Sequence, residues 1–209
     1  DTCLDMASLA KATITAPAIM QLWEQGKLDL DAPVARYLPD FAQNGKSAIT
    51  VRHLLTHYSG LAPDVDLSTP WSGKEVAVEK ALTAVPAGAP GAHFVYSDIN
   101  FIVLGLLVEH FSGLPLNVYA ENHILSPIGM TSSGFLPADE LRPVIAPTQL
   151  DEADIPLRGV VHDPTARRMG GVAGHAGLFS NAHDMALYAS SLLDQWNGRA
   201  SNYPLRTDT

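Results

Sequence analysis

Apolar positions recur three and four residues apart along most of the chain, whereas strict alternation of apolar and polar residues is scarce. The first spacing places side chains on one face of a helix, and the second is the pattern of a half-buried strand. The sequence therefore predicts a helix-rich fold with little sheet. Gly, Pro and polar capping residues bound the predicted helices, which cover residues 8–25, 32–37, 50–57, 73–83, 98–111, 115–124 and 182–196.

Two of these helices have unusual features. The helix over 98–111 is apolar nearly all round, which is typical of a helix buried in a core, and Asp98 is a candidate N-cap. The helix over 8–25 contains Pro17, which lacks an N–H group and is expected to kink it.

Strand signals are weak by comparison. Only 93–96 and 159–162 alternate well enough to be predicted as strands. The segment 129–177 is rich in proline and is predicted as a long connection, of the kind that often contributes to a functional site.

Composition excludes several classes of function. The chain has 209 residues, 13 basic and 22 acidic side chains, and a formal net charge of −9. This balance argues against nucleic-acid binding, which needs clustered Lys and Arg, and no apolar run is long enough to span a membrane. Cys3 is the single cysteine, so there is no internal disulfide, and no Cys/His spacing predicts zinc. The length fits one domain over 1–209, with a core sufficient for folding without a metal.

The first candidate for chemistry is Ser8 with Lys11. Residues three apart lie on one helical face, so an amine at Lys11 could remove the proton that makes the Ser8 hydroxyl a poor nucleophile. The same pattern also fits a capping serine with a solvated lysine.

Tyr96 and a glycine-rich segment are further candidates. Tyr96 precedes the buried helix and could relay a proton, or it could simply fill a loop. The glycines of 170–177 could bring backbone close to a ligand or form a flexible loop.

His53 and His57 are four residues apart on a predicted helix, which is a possible ligand spacing. Since Leu54, Leu55 and Thr56 lie between them, there is no metalloprotease H-E-x-x-H motif. We interpret both histidines as structural supports; a metal-dependent hydrolase that uses them with His162 is the alternative.

Taken together and in order, several segments resemble the serine β-lactamase-like family, which includes class C β-lactamases, D-alanyl-D-alanine carboxypeptidases and penicillin-binding-protein-like esterases. The resemblance covers nearly the whole chain. The matching segments are DMASLAK (5–11), GKLDLD (26–31), ITVRHLLTH (49–57), YSDINF (96–101) and AGLFS (176–180). It implies an α/β (α+β) fold, of which this chain would supply the helix-rich lobe with an incomplete antiparallel sheet.

Two departures from the family pattern affect the interpretation. Asp98 occupies the position of the family's asparagine, and an ionised carboxylate only accepts hydrogen bonds, so it could hold Lys11 charged. The family's third motif, Lys-Thr-Gly or His-x-Gly, is not found at its usual place. His175-Ala176-Gly177 has the His-x-Gly pattern but lies in an earlier segment. We therefore expect a truncated member, lacking strands at both ends.

The resemblance implies a serine hydrolase that forms an acyl-enzyme. Ser8 would be the nucleophile and its N–H an oxyanion donor, and Lys11 and Tyr96 would share the proton transfers. The expected substrate-binding residues are Asp98, His175, Ala176 and Gly177. Small acyl esters are the preferred substrates, with β-lactams or D-amino-acid peptides as further candidates, and no metal or cofactor is implied. The alternative is a non-catalytic member that binds ligands or assembles with another chain.

Two structural expectations follow. Ser8, Lys11 and Tyr96 should converge although Tyr96 is far along the chain. The helices over 8–25 and 98–111 should expose apolar faces in the absence of a full sheet, which would make the chain a weak catalyst on its own and favour self-association.

Overall fold

A computed structural model describes residues 2–151 and 153–209. The described residues form eight α-helices, two π-helical turns, three 3₁₀ segments and a small sheet. The fold is therefore helix-rich, as the apolar spacing predicted. The α-helices are α1 (Ala16–Glu24), α2 (Val51–Leu55), α3 (Lys74–Thr83), α4 (Asp98–Ser112), α5 (Leu116–Ala120), α6 (Ser126–Ile128), α7 (Pro164–Arg168) and α8 (Ala182–Trp196). The π turns are Lys11–Thr15 and Glu121–Leu125, and the 3₁₀ segments are Val34–Arg36, Pro39–Gly45 and Asp139–Val144.

The sheet is antiparallel and has the order β1–β3–β2. Its strands are β1 (Leu4–Asp5), β2 (Gly134–Phe135) and β3 (Leu178–Ser180). β3 is fully buried in the centre and pairs with both neighbours. The strands predicted over 93–96 and 159–162 are wrong. The real strands have two or three residues, too few to show alternation, and tertiary pairing defines them instead.

Helix α4 forms the centre of the core. Nine of its residues are buried, and α1, α2, α3 and α5 pack around it. An almost uniformly apolar helix can be stable in water only when neighbouring elements cover it on every side. The expected exposed apolar face on this helix is therefore wrong for the described residues. Large exposed apolar side chains on the helices include Leu9 and Trp23 on the first helix and Leu192, Leu193 and Trp196 near the end of α8.

The helix that carries the Ser-x-x-Lys pattern begins with a π turn rather than a kink at Pro17. In a π turn, the N–H of residue 17 would bond to the carbonyl of residue 12, but proline has no N–H. The hydroxyl of Tyr188 donates to the Ala12 carbonyl at 2.9 Å. Burial raises the pKa of the Tyr188 phenol, so the phenol remains a donor. Tertiary contact with α8 thus compensates for the bond that Pro17 cannot make.

Polar side chains cap two of the predicted helices at their first turn. Thr50 caps α2 in a reciprocal arrangement with His53, and Asn181 caps α8. The N-cap of α4 is Ser97, so Asp98 is the first helical residue rather than the cap. Helix α7 was missed, although Asp163 followed by Pro164 is a typical helix start.

Among the described residues, no single helix has the length and apolarity needed to cross a membrane. Helix α4 and the helical segment Leu116–Ile128 reach that length and apolarity only when they are counted together, and the two are bent by 75° relative to each other.

The glycine-rich segment before β3 packs against α4 too closely for a side chain at Gly174. A Cβ atom at Gly174 would lie 2.0 Å from the Phe101 carbonyl oxygen of α4. This segment is a tightly packed part of the core rather than a flexible loop.

Replacing Gly174 with alanine should lower the free energy of unfolding by about 1–3 kcal/mol or more, because the backbone of α4 cannot move away without disturbing the core. Gly134→Ala is the matched control, since its Cβ meets nothing within 4 Å, and it should change stability by less than about 0.5 kcal/mol. Urea unfolding measures both. Equal stability of the two variants would contradict this packing argument.

Candidate active site

Ser8 lies on a sharp turn between β1 and the first helix. Ala7 has a φ of 47°, a left-handed conformation that costs energy for a residue with a side chain. The Asp5 carboxylate stabilises this turn, because one oxygen accepts from the Ala7 N–H at 2.8 Å and the other from the His162 N–H at 2.7 Å. The turn leaves Ser8 exposed to solvent, as a nucleophile must be.

Lys11 is buried behind Ser8 and contacts three oxygen atoms. Its Nζ lies 2.8 Å from Ser8 Oγ and 3.0 Å from the carbonyl oxygen of His175. It also forms an ion pair with Asp98 at 2.6 Å. Two of these contacts are hydrogen bonds and the third is an ion pair, so acceptors and opposite charge together replace the hydration of the buried amine.

The ring of Tyr96 lies beside Lys11. The Lys11 Nζ lies 4.9 Å from the centre of the Tyr96 ring, a cation–π distance. Tyr96 is 45% exposed, so its ring closes one side of the site while remaining accessible. Its catalytic role stays a prediction.

His57 supports the Tyr96 wall from behind. Its ring lies 4.5 Å from that of Tyr96, and its Nδ1 accepts from the Ser97 N–H at 3.1 Å. Burial, together with the charge of Lys11, lowers the pKa of His57, with a partial opposing effect from Asp98. His57 is therefore a neutral, structural imidazole that fixes the entrance of α4.

The segment 175–177 forms the inner wall of the site. His175 is fully buried, and Ala176 and Gly177 are buried beside it. The His175 carbonyl reaches Lys11, while its Nε2 pairs with Asp163 Oδ1 at 2.9 Å. The imidazole lies inside the protein, and the contact of His175 with Lys11 is made by its backbone carbonyl. A direct substrate contact by residues 175–177 stays a prediction.

Asp163 is a site residue that the sequence analysis did not select. Its one local signal is that Asp followed by Pro is a typical helix start. Burial would raise the pKa of Asp163, but its bonds with His175 and the Ala166 N–H and the nearby positive charges lower it overall. Asp64 lies in the same region, and burial raises its pKa.

Metal-ligating atoms of Asp98, Asp163 and His175 lie within 4.8 Å of one another, the one such group of three among the described residues. The ammonium of Lys11 already supplies the cation beside Asp98. The alternative metal site is not assembled, because His53 caps α2 and the His162 ring bonds to Gln149 at 3.0 Å.

Comparison with known proteins identifies the family. The family model described as Beta-lactamase matches residues 1–207. The chain belongs to the β-lactamase family. It is 35% identical to the N-acetylmuramyl-L-alanine amidase of Bacillus subtilis (strain 168), with 95% of this chain and 51% of the relative covered. It is 31% identical to the "Putative D-alanyl-D-alanine carboxypeptidase" of Escherichia coli (strain K12), covering 92% and 51%. The chain thus spans about half the length of these curated relatives.

Solved structures have the same fold as this family member. The octameric penicillin-binding protein homologue from Pyrococcus abyssi superposes with a TM-score of 0.76 at 26% identity, covering 100% of this chain and 47% of that one. A class C β-lactamase gives 0.74 at 23% identity, covering 91% and 50%. The expected β-lactamase/transpeptidase-like fold is confirmed.

The lowered pKa of His57 predicts a pH-dependent stability. Near pH 6.5 the unfolded chain binds a proton at this residue that the folded chain does not, so the free energy of unfolding falls as pH decreases from 7.5 to 5.5. In His57→Asn this fall should shrink. Asparagine suits the site because residue 57 has a φ of 61°.

Urea unfolding at pH 7.5, 6.5 and 5.5 measures the effect. Phe94→Leu is the control, because it removes a ring that contacts His57 but keeps the imidazole. It should retain the full wild-type fall. An undiminished fall in His57→Asn would show that other groups cause it.

Proposed function

We propose that this chain hydrolyses acyl substrates through a covalent acyl-Ser8 intermediate. The observation that carries the proposal is the 2.8 Å contact between Lys11 Nζ and an exposed Ser8 Oγ, on a turn that the Asp5 carboxylate stabilises. A base within hydrogen-bond distance of a serine hydroxyl is the geometry that nucleophilic catalysis requires.

The reaction follows from this geometry. Once Lys11 is neutral, it accepts the hydroxyl proton while Ser8 Oγ attacks the acyl carbon. The bond to the leaving group then breaks, and the leaving group takes up the proton through Lys11 and the Tyr96 phenol. Water cleaves the acyl–serine ester by the same exchange in reverse, so the acid is released and Ser8 regains its proton.

Asp98 affects how readily Lys11 can accept the proton of Ser8. Its carboxylate lies 2.6 Å from Lys11 Nζ, and both side chains are largely buried. A charge pair in such surroundings is stronger than in water. It favours the ammonium form and so opposes the role of base, whereas asparagine would oppose it less.

For the substrate, we propose small activated acyl esters, because a resting site that holds its base charged suits a reactive carbonyl. D-Alanyl peptides are the second candidate, favoured by the names of the two relatives above, an amidase and a carboxypeptidase. Comparing kcat/KM for a p-nitrophenyl ester and for a D-alanyl-D-alanine peptide separates the two.

Ser8→Ala should reduce ester hydrolysis by about 10³-fold or more and abolish covalent labelling by a fluorophosphonate, as measured by intact-protein mass spectrometry. Its unfolding free energy should stay within about 1 kcal/mol of wild type. Ser132→Ala, which replaces another exposed serine, is the matched control and should label normally. A wild-type protein that binds acyl ligands without labelling or turnover would favour the non-catalytic alternative.

Asp98→Asn should raise the acylation rate on the rising limb of its pH profile by about tenfold, because the amine that accepts the Ser8 proton loses a carboxylate 2.6 Å away. Rates of labelling between pH 5 and 10 measure it. Asp139→Asn removes an exposed carboxylate paired with Arg142 and should leave the profile in place. An unchanged profile in Asp98→Asn would refute this account of Asp98.

A further inference from the structure

One of the oxygen atoms that surround Lys11 belongs to the backbone. The His175 carbonyl accepts from Lys11 Nζ at 3.0 Å, in a buried contact. Unlike the carboxylate of Asp98, a carbonyl has no side-chain torsions of its own. Its position relative to Ser8 therefore depends on whatever fixes the peptide at residue 175.

Two anchors fix that peptide. On one side, the Gly174 carbonyl accepts from Thr15 Oγ1 at 2.7 Å, which ties the segment to the helix of Lys11. On the other, the fully buried imidazole of His175 bonds to Asp163 Oδ1 at 2.9 Å. The same Asp163 oxygen accepts from the Ala166 N–H at 2.7 Å, so the second anchor is attached to the first turn of α7.

The protonation of this pair can be read from its surroundings. The Nδ1 of His175 is buried and has no hydrogen-bond partner among the described residues, and a proton there would be an unpaired donor. The ring nitrogen that donates is therefore Nε2, and its proton is directed to the Asp163 carboxylate. Asp98, Asp64 and Lys11 are the other ionisable groups that face this pair.

We propose that the Asp163–His175 hydrogen bond is a positioning device for Lys11. It fixes the His175 carbonyl, and that carbonyl holds the amine against Ser8 Oγ. His175 is a positioning residue in this scheme, since its side chain acts on the reaction through Lys11. The inference rests on the proposed function and adds to it a path from α7 to the reacting serine.

A matched pair of variants tests the contribution of the His175 Nε2–H donor. His175→Gln retains a side-chain N–H at the distance of Nε2, whereas His175→Leu has a similar volume and no donor. Both are compared with wild type for the pH dependence of labelling by a fluorophosphonate and for urea unfolding. His162→Asn, which changes the neighbouring surface histidine, is the control.

We expect His175→Gln to label within about threefold of wild type with the same pH profile. His175→Leu should label at least about tenfold more slowly per folded molecule, because the His175 carbonyl no longer fixes the Lys11 amine against Ser8 Oγ. A merely structural role would reduce stability and leave the labelling rate and pH profile of the folded fraction unchanged in both variants.

His175→Leu leaves the Asp163 carboxylate unpaired, so the double variant His175→Leu/Asp163→Asn removes that charge and provides a second test with the same expected loss of labelling rate. Equal rates and profiles for the Gln and Leu variants would overturn the inference while leaving the acyl-enzyme intact. Wild-type labelling that persists in Ser8→Ala would instead overturn the proposed function, and the inference with it.

Discussion

The buried ammonium of Lys11 is the interaction on which the rest of the site depends. A charge removed from water is costly unless opposite charge and acceptors replace its hydration. Here the compensation comes from three places in the chain: the turn of Ser8, the first residue of α4 at Asp98, and the peptide of His175. Because these segments are distant in sequence, the contacts that compensate the buried charge of Lys11 also bring the parts of the site together.

The same interaction creates a conflict between stability and reactivity. The contacts that make a buried ammonium tolerable also disfavour the neutral amine that could act as a base. In this family member Asp98 increases the conflict, because it places a carboxylate beside Lys11 where the family pattern has the amide of asparagine. Functional sites commonly retain strain of this kind, with the cost met by packing elsewhere. The left-handed Ala7 beside the nucleophile is a second example.

Packing around the site explains how such groups are held. The π turn at Lys11–Thr15 leaves a carbonyl that Tyr188 of α8 satisfies, and Gly174 allows the wall segment to touch the backbone of α4. His57 fills the space behind Tyr96 and binds the start of the same helix. The elements that bear the candidate catalytic residues are thus held in place by contacts with residues that have no proposed catalytic role.

The sequence by itself determined the features that depend on local spacing. Ser8 and Lys11 meet because residues three apart share a helical face, Thr50 caps its helix through its own side chain, and α4 is buried because it has no polar face. The family followed from the order of short motifs. Each of these results needs only local spacing or the order of segments along the chain.

Tertiary structure decided the features that depend on contacts between residues distant in sequence. The strands are too short to leave a pattern and exist because β3 pairs with β1 and β2. The position of Tyr96 beside Lys11 could be expected only from family resemblance, and the Asp163–His175 pair left no spacing signal at all. A hydrogen bond across the fold depends on how the helices pack, and packing is a property of the whole chain.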